Sequence, residues 1–275
     1  MAFSVNTNAQ AFIALQNLNT TNSALATTQN RVSTGLEVAG AEDSAARFTI
    51  AQGLRADVAG LNSVSGSLSN ASSALDVALS ATEAISDILI DLEELAVTAS
   101  DDGLDADSRT ALNAQFGELV GQISSIVSSA EFNGTNIISA TPDNITALTS
   151  PTPGAATISI NGVDLAAQAA NLAAENLLGA NGDNADSAIT VITAATTAVN
   201  GALGSFGAGA NRLSIQAEFT QSLSDTIEVG IGNLVDADLA QESANLQALQ
   251  VQQQLGLSAL SIANQAPSAI LSLFG

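Results

Sequence analysis

The chain of 275 residues contains no cysteine, histidine, lysine, tryptophan or tyrosine. Each absence removes a branch of chemistry. Without His or Cys there is no ordinary zinc site, no histidine-activated nucleophile, no haem or iron–sulfur ligation and no disulfide. Without Lys there is no phosphate-loop lysine, no Schiff base and no Ser-Lys dyad. Five arginines against 27 carboxylates give a net charge of −22. Five cations cannot build a basic footprint, so no nucleic acid is expected as a partner. No stretch of membrane-spanning length is free of Ser, Asn or Gln, so no membrane insertion is expected. The start of the chain lacks a basic segment followed by an apolar run, the mark of a standard secretory signal. The reading is therefore of a non-enzyme with no cofactor and no metal.

What the chain does contain is alanine, its commonest residue, within an apolar fraction of 46%, and eight Phe as the only aromatic side chains. Alanine favours helix and lets helices approach closely. Thin helical layers meeting along narrow seams are expected. The charges are unevenly placed. The first is Arg31 and the last is Glu242, so residues 1–30 and 243–275 carry none. Solvated tails usually carry charge, whereas these ends carry apolar residues at helical spacing. Burial of both ends together in an assembly accounts for that, because an unpaired buried ion costs several kcal/mol.

Seven-residue periods organise the chain. Leu15, Asn22, Gln29 and Leu36 form one series, and Ala11, Leu18, Leu25 and Val32 a second. Asn22 and Gln29 are polar members that would lower stability and penalise wrong pairings. From about Ser44 to Ser100 the series are Leu54, Leu61, Leu68, Leu75, Thr82, Leu89, Ala96 and Val64, Ala71, Ala78, Ile85, Leu92, Ala99. A helix of that length spans roughly 80 Å, which predicts a rod. Asp101, Asp102 and Gly103 end it. A third helix is expected near Asp107 and Ser108, with Leu112, Phe116, Leu119, Ile123, Ile126 and Ala130 in its seam and Asn133-Gly134 as its stop. Residues 131–182 break the pattern with Pro142, Pro151 and Pro153. Ile158, Ile160, Val163 and Leu165 alternate around Asn161-Gly162, which predicts a β-hairpin turning there. Helical spacing returns at Ile192, Val199, Phe206, Leu213, Thr220, Ile227 and Leu234, with a flaw or close packing expected between Gly201 and Gly209. Asp238 with Gln241 resembles a capping box. Leu246, Leu249, Gln253, Leu260 and Ala263 form the last seam, and Pro267 is expected to interrupt it.

Carboxylate pairs occur at Glu93-Glu94, Asp101-Asp102 and Asp236/Asp238. They lie on helix faces or in caps, where capping and solvation are their ordinary use, not convergence on a substrate. Asp101, Asp102, Asp105 and Asp107 do not match the spacing of an EF-hand calcium loop. Asn144-Ile145-Thr146 is a formal glycosylation triplet of a kind that arises by chance.

Several stretches carry a family resemblance: Val5-Asn6-Thr7-Asn8, Arg31-Val32-Ser33-Thr34-Gly35-Leu36, Ala41-Glu42-Asp43-Ser44-Ala45-Ala46, Glu94-Leu95-Ala96-Val97 and Phe132-Asn133-Gly134. Near the end come Asn233-Leu234-Val235-Asp236-Ala237-Asp238-Leu239, Leu260-Ser261-Ile262-Ala263-Asn264-Gln265-Ala266-Pro267 and Ile270-Leu271-Ser272-Leu273-Phe274. Over about residues 1–140 and 190–275 the chain resembles bacterial flagellin, most of all the short alphaproteobacterial members. The resemblance implies a mainly α fold: an elongated antiparallel helical bundle or coiled-coil rod with paired terminal helices and a small β-hairpin region. It places residues 1–38 and 236–275 in an inner-tube helical domain. Residues 39–235 become the rod, with a short variable region at about 131–182. It implies a homopolymer, the extracellular flagellar filament, built after type III export. The implied partners are an export chaperone, a cap protein and hook-junction proteins.

On that resemblance the assembly residues are Leu15, Leu18, Asn22, Leu25, Gln29, Val32, Leu246, Leu249, Gln253, Leu260 and Ala263. The chain departs from many members at Glu42 and Ser44. It also carries Asp91 and Glu93 where many have the arginines that vertebrate innate immunity recognises, which makes these two residues candidates for receptor evasion. A hook–filament junction protein shares the terminal helices and is the nearest alternative; a secreted rod-like adhesin is a more distant one.

Overall fold

The computed structural model describes residues 7–152, 154–179 and 182–271, without side-chain detail after Gln265. The order is α1 (Ala9–Thr34), α2 (Ala41–Ala99), α3 (Ala106–Ser129), β1 (Ile145–Leu148), β2 (Thr157–Ile160), α4 (Ala166–Ala173), α5 (Asp183–Val235) and α6 (Leu239–Leu271). The expected fold class, mainly helical with a small antiparallel β element, is what forms. The chain divides into two compact units. One draws on Met1–Ala56 and Thr226–Gly275, and the other is Asp57–Asp225.

The Asp57–Asp225 unit has one continuous core. Leu61, Leu68, Leu75, Thr82, Leu89 and Ala96 of the first α2 series are buried, as are all six members of the second. From α5 come Ile192, Val199, Phe206 and Leu213. The seven-residue spacing therefore identifies the buried face of both long helices. Thr82 is buried with its hydroxyl donating to the Ala78 carbonyl at 2.6 Å, so its polarity is satisfied inside its own helix. In α3 the buried apolar residues are Phe116, Val120, Ile123 and Val127, followed by Ala130 at its C-cap, while Leu112, Leu119 and Ile126 are half-buried shoulders.

Several local expectations are corrected. Asp105, not Asp107 or Ser108, caps α3: its carboxylate accepts from the Ser108 backbone amide at 2.8 Å and the Ser108 hydroxyl at 2.9 Å. Those bonds, the amide first, hold its pKa below the usual aspartate value. Helix α3 ends at Ser129, before Asn133-Gly134. That dipeptide takes positive φ at both residues and turns a tight hairpin closed by Phe132 and Thr135. The strand pair is β1 with β2, in register Ile145↔Ile160 to Leu148↔Thr157, so the second Asn-Gly does not form its turn. Gly162 is needed for another reason. A side chain there would collide with the Asp143 carbonyl and lie 2.8 Å from the Ile137 carbonyl. From Gly162 the chain continues, with the Val163 amide donating to the Ile137 carbonyl at 2.8 Å. It then enters α4, a helix the sequence pattern does not announce.

Helix α5 runs through its glycines without interruption. The close packing is real at Gly209, where an added Cβ would sit 2.8 Å from the tip of Ile160. By length and composition α5 is also apolar enough to cross a membrane, contrary to the reading that no segment is. Its apolar residues are disposed at helical spacing, and Ala185, Ala188, Ile192, Ala195, Val199, Ala202 and Phe206 are buried in the core of this unit. Arg109 is another buried group: its guanidinium donates to the Gly179 carbonyl at 2.8 Å and the Asp101 carbonyl at 2.9 Å, tying two turns together.

In the other unit a small cluster of Val38, Ala51 and Val235 packs with Leu36, Phe48, Ile231 and Leu234. Ser44 breaks helical geometry near the start of α2, so the regular helix begins after it. Helix α1 stops at Gly35, whose φ of 73° lies in the left-handed region that favours glycine. Asp238 caps α6, accepting from the amides of Ala240 at 2.9 Å and Gln241 at 3.1 Å, as the capping-box spacing predicts. Pro267 does not end this helix, which continues to Leu271.

Candidate assembly seam

Helices α1 and α6 pack antiparallel along one seam. On α6 the less exposed residues are Leu246, Leu249, Gln253, Gly256, Leu260 and Ala263, opening at the buried Glu242. All five sequence candidates on this helix therefore face the seam. Gly256 is the member the sequence reading passed over. An added Cβ there would lie 3.2 Å from the tip of Leu18, so the leucine packs into the gap glycine leaves.

On α1 the spacing resolves differently. Leu18 is buried, Leu25 and Val32 are half-buried, and Ala11 keeps its place. The companion series is Ala14, Thr21 and Thr28, not Leu15, Asn22 and Gln29. Thr28 is buried, whereas Gln29 is exposed and Leu15 is 44% exposed. The pattern 11, 14, 18, 21 and the pattern 11, 15, 18, 22 both alternate steps of three and four, so period alone does not choose between them. Small Ala and Thr side chains let the two backbones approach, and the larger neighbours are rotated outward. Asn22 still serves the pairing from the rim: the Gln253 amide donates to its carbonyl at 2.7 Å.

Polar bonds at other levels fix the same register. Arg31 and Glu242, the first and last charged residues of the chain, form an ion pair at 3.0 Å. Beyond it the Ala237 amide donates to the Gly35 carbonyl at 2.8 Å, and the Glu37 amide to the Val235 carbonyl at 2.7 Å. At the far end Asn8 acts twice. Its side-chain oxygen accepts from the Ala11 amide at 3.1 Å, capping α1, and its side-chain amide donates to the Ala263 carbonyl at 2.7 Å. Pro267 has no N–H, so the carbonyl four residues earlier, that of Ala263, has no helical donor. Asn8 supplies one. The proline thus creates the acceptor that the other terminal helix grips. The mirror placement of Arg31 and Glu242 about the antiparallel pair was a signal in the sequence that reading one helix at a time does not reveal.

The two helices leave much apolar surface uncovered. Phe12, Ile13 and Leu15 on α1, and Val251, Leu255, Leu257 and Ile262 on α6, are exposed. Such exposed apolar side chains, on a helix pair whose charges are confined to Arg31 and Glu242, mark a surface for further association. Asp91 and Glu93 lie in the other unit, exposed on α2. The carboxylates of Asp101 and Asp105 act within turns, Asp101 accepting from the Gly103 amide at 2.9 Å. The stretches at Val5-Asn6 and Ser272-Leu273-Phe274, and Pro153, lie outside the described residues.

Comparison with known proteins gives concordant matches. Residues 5–143 match the bacterial flagellin N-terminal helical region, and residues 189–274 the bacterial flagellin C-terminal helical region. Flagellin FljK of Caulobacter vibrioides is 43% identical, covering 98% of this chain and 98% of that protein. A flagellin of Brucella melitensis is 34% identical over 98% of this chain and 99% of its own length. Among solved structures, the crystal structure of Bacillus cereus flagellin aligns with a TM-score of 0.50 at 23% identity, over 55% of this chain and 86% of that one.

Proposed function

The chain belongs to the bacterial flagellin family, and on that premise we propose how its terminal helices do the work of a filament subunit. It is a structural subunit of the extracellular flagellar filament, and its matches favour neither a junction protein nor an adhesin. The observation that carries the mechanism is the α1–α6 pair: uncharged for most of its length, locked in register by bonds at several levels, yet exposing large apolar side chains along both helices. Such a pair is suited to being covered by its copies. Residues 1–38 and 236–275 then form the inner tube, residues 39–235 lie outside it, and the β region within 131–182 faces outward. An export chaperone, a cap protein and hook-junction proteins are the partners such a subunit requires. Catalysis has no part in this reading.

The free subunit supplies a test. Among the described residues Leu18 is the one large apolar side chain buried along the α1–α6 seam, and isolated helices with so little burial are marginal in water. Limited proteolysis of the monomer should trim both ends and leave roughly residues 40–235, a fragment unable to polymerise. The intact chain, seeded, should form long filaments in electron micrographs. Ends that resist protease in the monomer would overturn assembly-coupled folding, and failure of the seeded chain to polymerise would overturn the function.

Asp91 and Glu93 carry a separate proposal, evasion of the vertebrate flagellin receptor. A surface that accepts arginines would face carboxylates here, and like-charge juxtaposition at an interface costs several kcal/mol. In a reporter-cell assay the monomer should activate weakly or not at all beside a receptor-active flagellin. Asp91→Arg combined with Glu93→Arg should recover part of the response. Equal potency of the unaltered chain rejects the idea.

A further inference from the structure

Four of the five arginines are engaged within the subunit. Arg31 pairs with Glu242 and Arg47 with Glu37, Arg55 reaches the Gln52 side chain at 3.4 Å, and Arg109 holds two carbonyls. Arg212, on α5 in the Asp57–Asp225 unit, is exposed and has no hydrogen bond or ion pair among the described residues. On the same helical face, three, seven and eleven positions later, stand Ile215, Phe219 and Leu223, exposed by 68%, 59% and 36%. A lone guanidinium heading an uncovered apolar row has the composition of an interface anchor.

The same unit carries a surface of opposite character. Between α2 and α3 runs a groove of 560 Å³ lined by the half-buried Leu95 and Leu119, by the exposed Ala114, and by the exposed Asp91, Glu94 and Glu118, whose carboxylates give it its rim of charge. None of these three carboxylates has an ion-pair partner among the described residues. Arg212 does not line the groove of its own chain.

We infer that Arg212 and its apolar row dock in this groove on a second copy of the chain, an inference that rests on the filament reading. The occupant must be cationic at one point and apolar beyond it. A filament subunit is surrounded by copies of itself, and Arg212 is the exposed, unengaged cation that every copy offers. The two surfaces differ, so the contact is heterologous: each subunit uses its row on one neighbour and its groove on another, and the interaction propagates instead of closing. The guanidinium answers part of the rim charge, and the row covers Leu95 and Leu119.

Charge reversal tests the pairing. Arg212→Glu should raise the critical concentration for seeded polymerisation at least about tenfold, and Glu94→Arg should do the same. The two together should return it to within about threefold of the unaltered chain, an expectation of coupled sites. Circular dichroism checks folding, and the milder Arg212→Gln, expected to lie between, is read if Arg212→Glu loses helix. The absence of native cysteine makes a second measurement clean. With Gln115→Cys and Ile215→Cys in one chain, oxidation of assembled filaments should give a ladder of covalent multimers, and oxidation of monomers should not. An unchanged critical concentration in folded Arg212→Glu, or well-formed filaments that yield no ladder, overturns the contact. Failure of the unaltered chain to polymerise overturns the filament reading instead.

Discussion

Replacing Gly256 with leucine is expected to abolish polymerisation at concentrations where the unaltered chain forms filaments, and to leave the Asp57–Asp225 unit folded. The cause is local. Leu18 already occupies the space above Gly256, with its Cδ1 3.2 Å from where a Cβ would stand. The tip of a leucine can move a few tenths of an ångström, so Gly256→Ala should be nearly silent. A whole leucine cannot be accommodated unless the helices separate, and overpacking of this kind costs about 1–3 kcal/mol. A domain with an extensive buried core has stability in reserve to outlast that cost. The α1–α6 pair has little to absorb it with, since its seam consists largely of Ala, Thr, Gly and half-buried Leu. Expressed per subunit added, the cost corresponds to a rise in critical concentration of about five- to 150-fold. Leu18→Ala should partly rescue Gly256→Leu by exchanging knob and hole. Sedimentation of seeded mixtures measures the effect, and normal filaments from Gly256→Leu at unaltered concentration would show that this packing does not limit assembly.

The second large effect is of salt. Each subunit carries 27 carboxylates and a net charge of −22. Two of its five arginines form ion pairs within the described residues, and a third is committed to carbonyls. The long uncharged ends place this charge on the intervening residues. At about 0.1 M salt the screening length is near 10 Å, so neighbours feel reduced repulsion; at about 0.01 M it reaches roughly 30 Å and the repulsion sums over several subunits. The Arg212 contact strengthens at low salt, but one cation per contact is outweighed by the net charge it joins. The critical concentration should therefore fall at least about tenfold as NaCl rises from about 0.01 to 0.5 M, a gain near 1.4 kcal/mol. Sedimentation read by peptide-bond absorbance suits a chain without Trp or Tyr. A flat or rising curve would assign control of assembly to short-range packing or local ion pairs. The expected direction also suits the protein to a saline medium.

The long helices were legible because Leu, Ile, Val and Phe recur on one face for many turns, as from Leu61 to Ala99 and from Ile192 to Leu213. The α6 seam was legible for the same reason: Leu246, Leu249 and Leu260 stand out against Gln and Ser. On α1 the contrast is reversed. Close approach favours Ala14, Thr21 and Thr28 over the more conspicuous Leu15, and side-chain size misleads where the seam is thin. Two Asn-Gly pairs of the β region have different physical uses. Asn133-Gly134 supplies left-handed backbone, while Gly162 supplies missing volume. Only the three-dimensional neighbours of Gly162, the carbonyls of Ile137 and Asp143, separate the two. The bonds of Asn8, Arg31 and Gly35 to residues beyond position 230 depend on a pairing that helical periodicity does not encode.

The clasp between Asn8 and Ala263 joins groups 255 positions apart. In a fully flexible chain, closing a loop of that size costs about 3 kcal/mol more than closing one of ten residues. Prior folding of the intervening chain lowers the cost but does not remove the order of events: the first helix has no partner until the last one has arrived. A chain that breaks off before Ala263 offers its α1 a shortened seam and no freed carbonyl. Pairing α1 with α6 therefore makes the surface that both helices build together depend on both being present and in register.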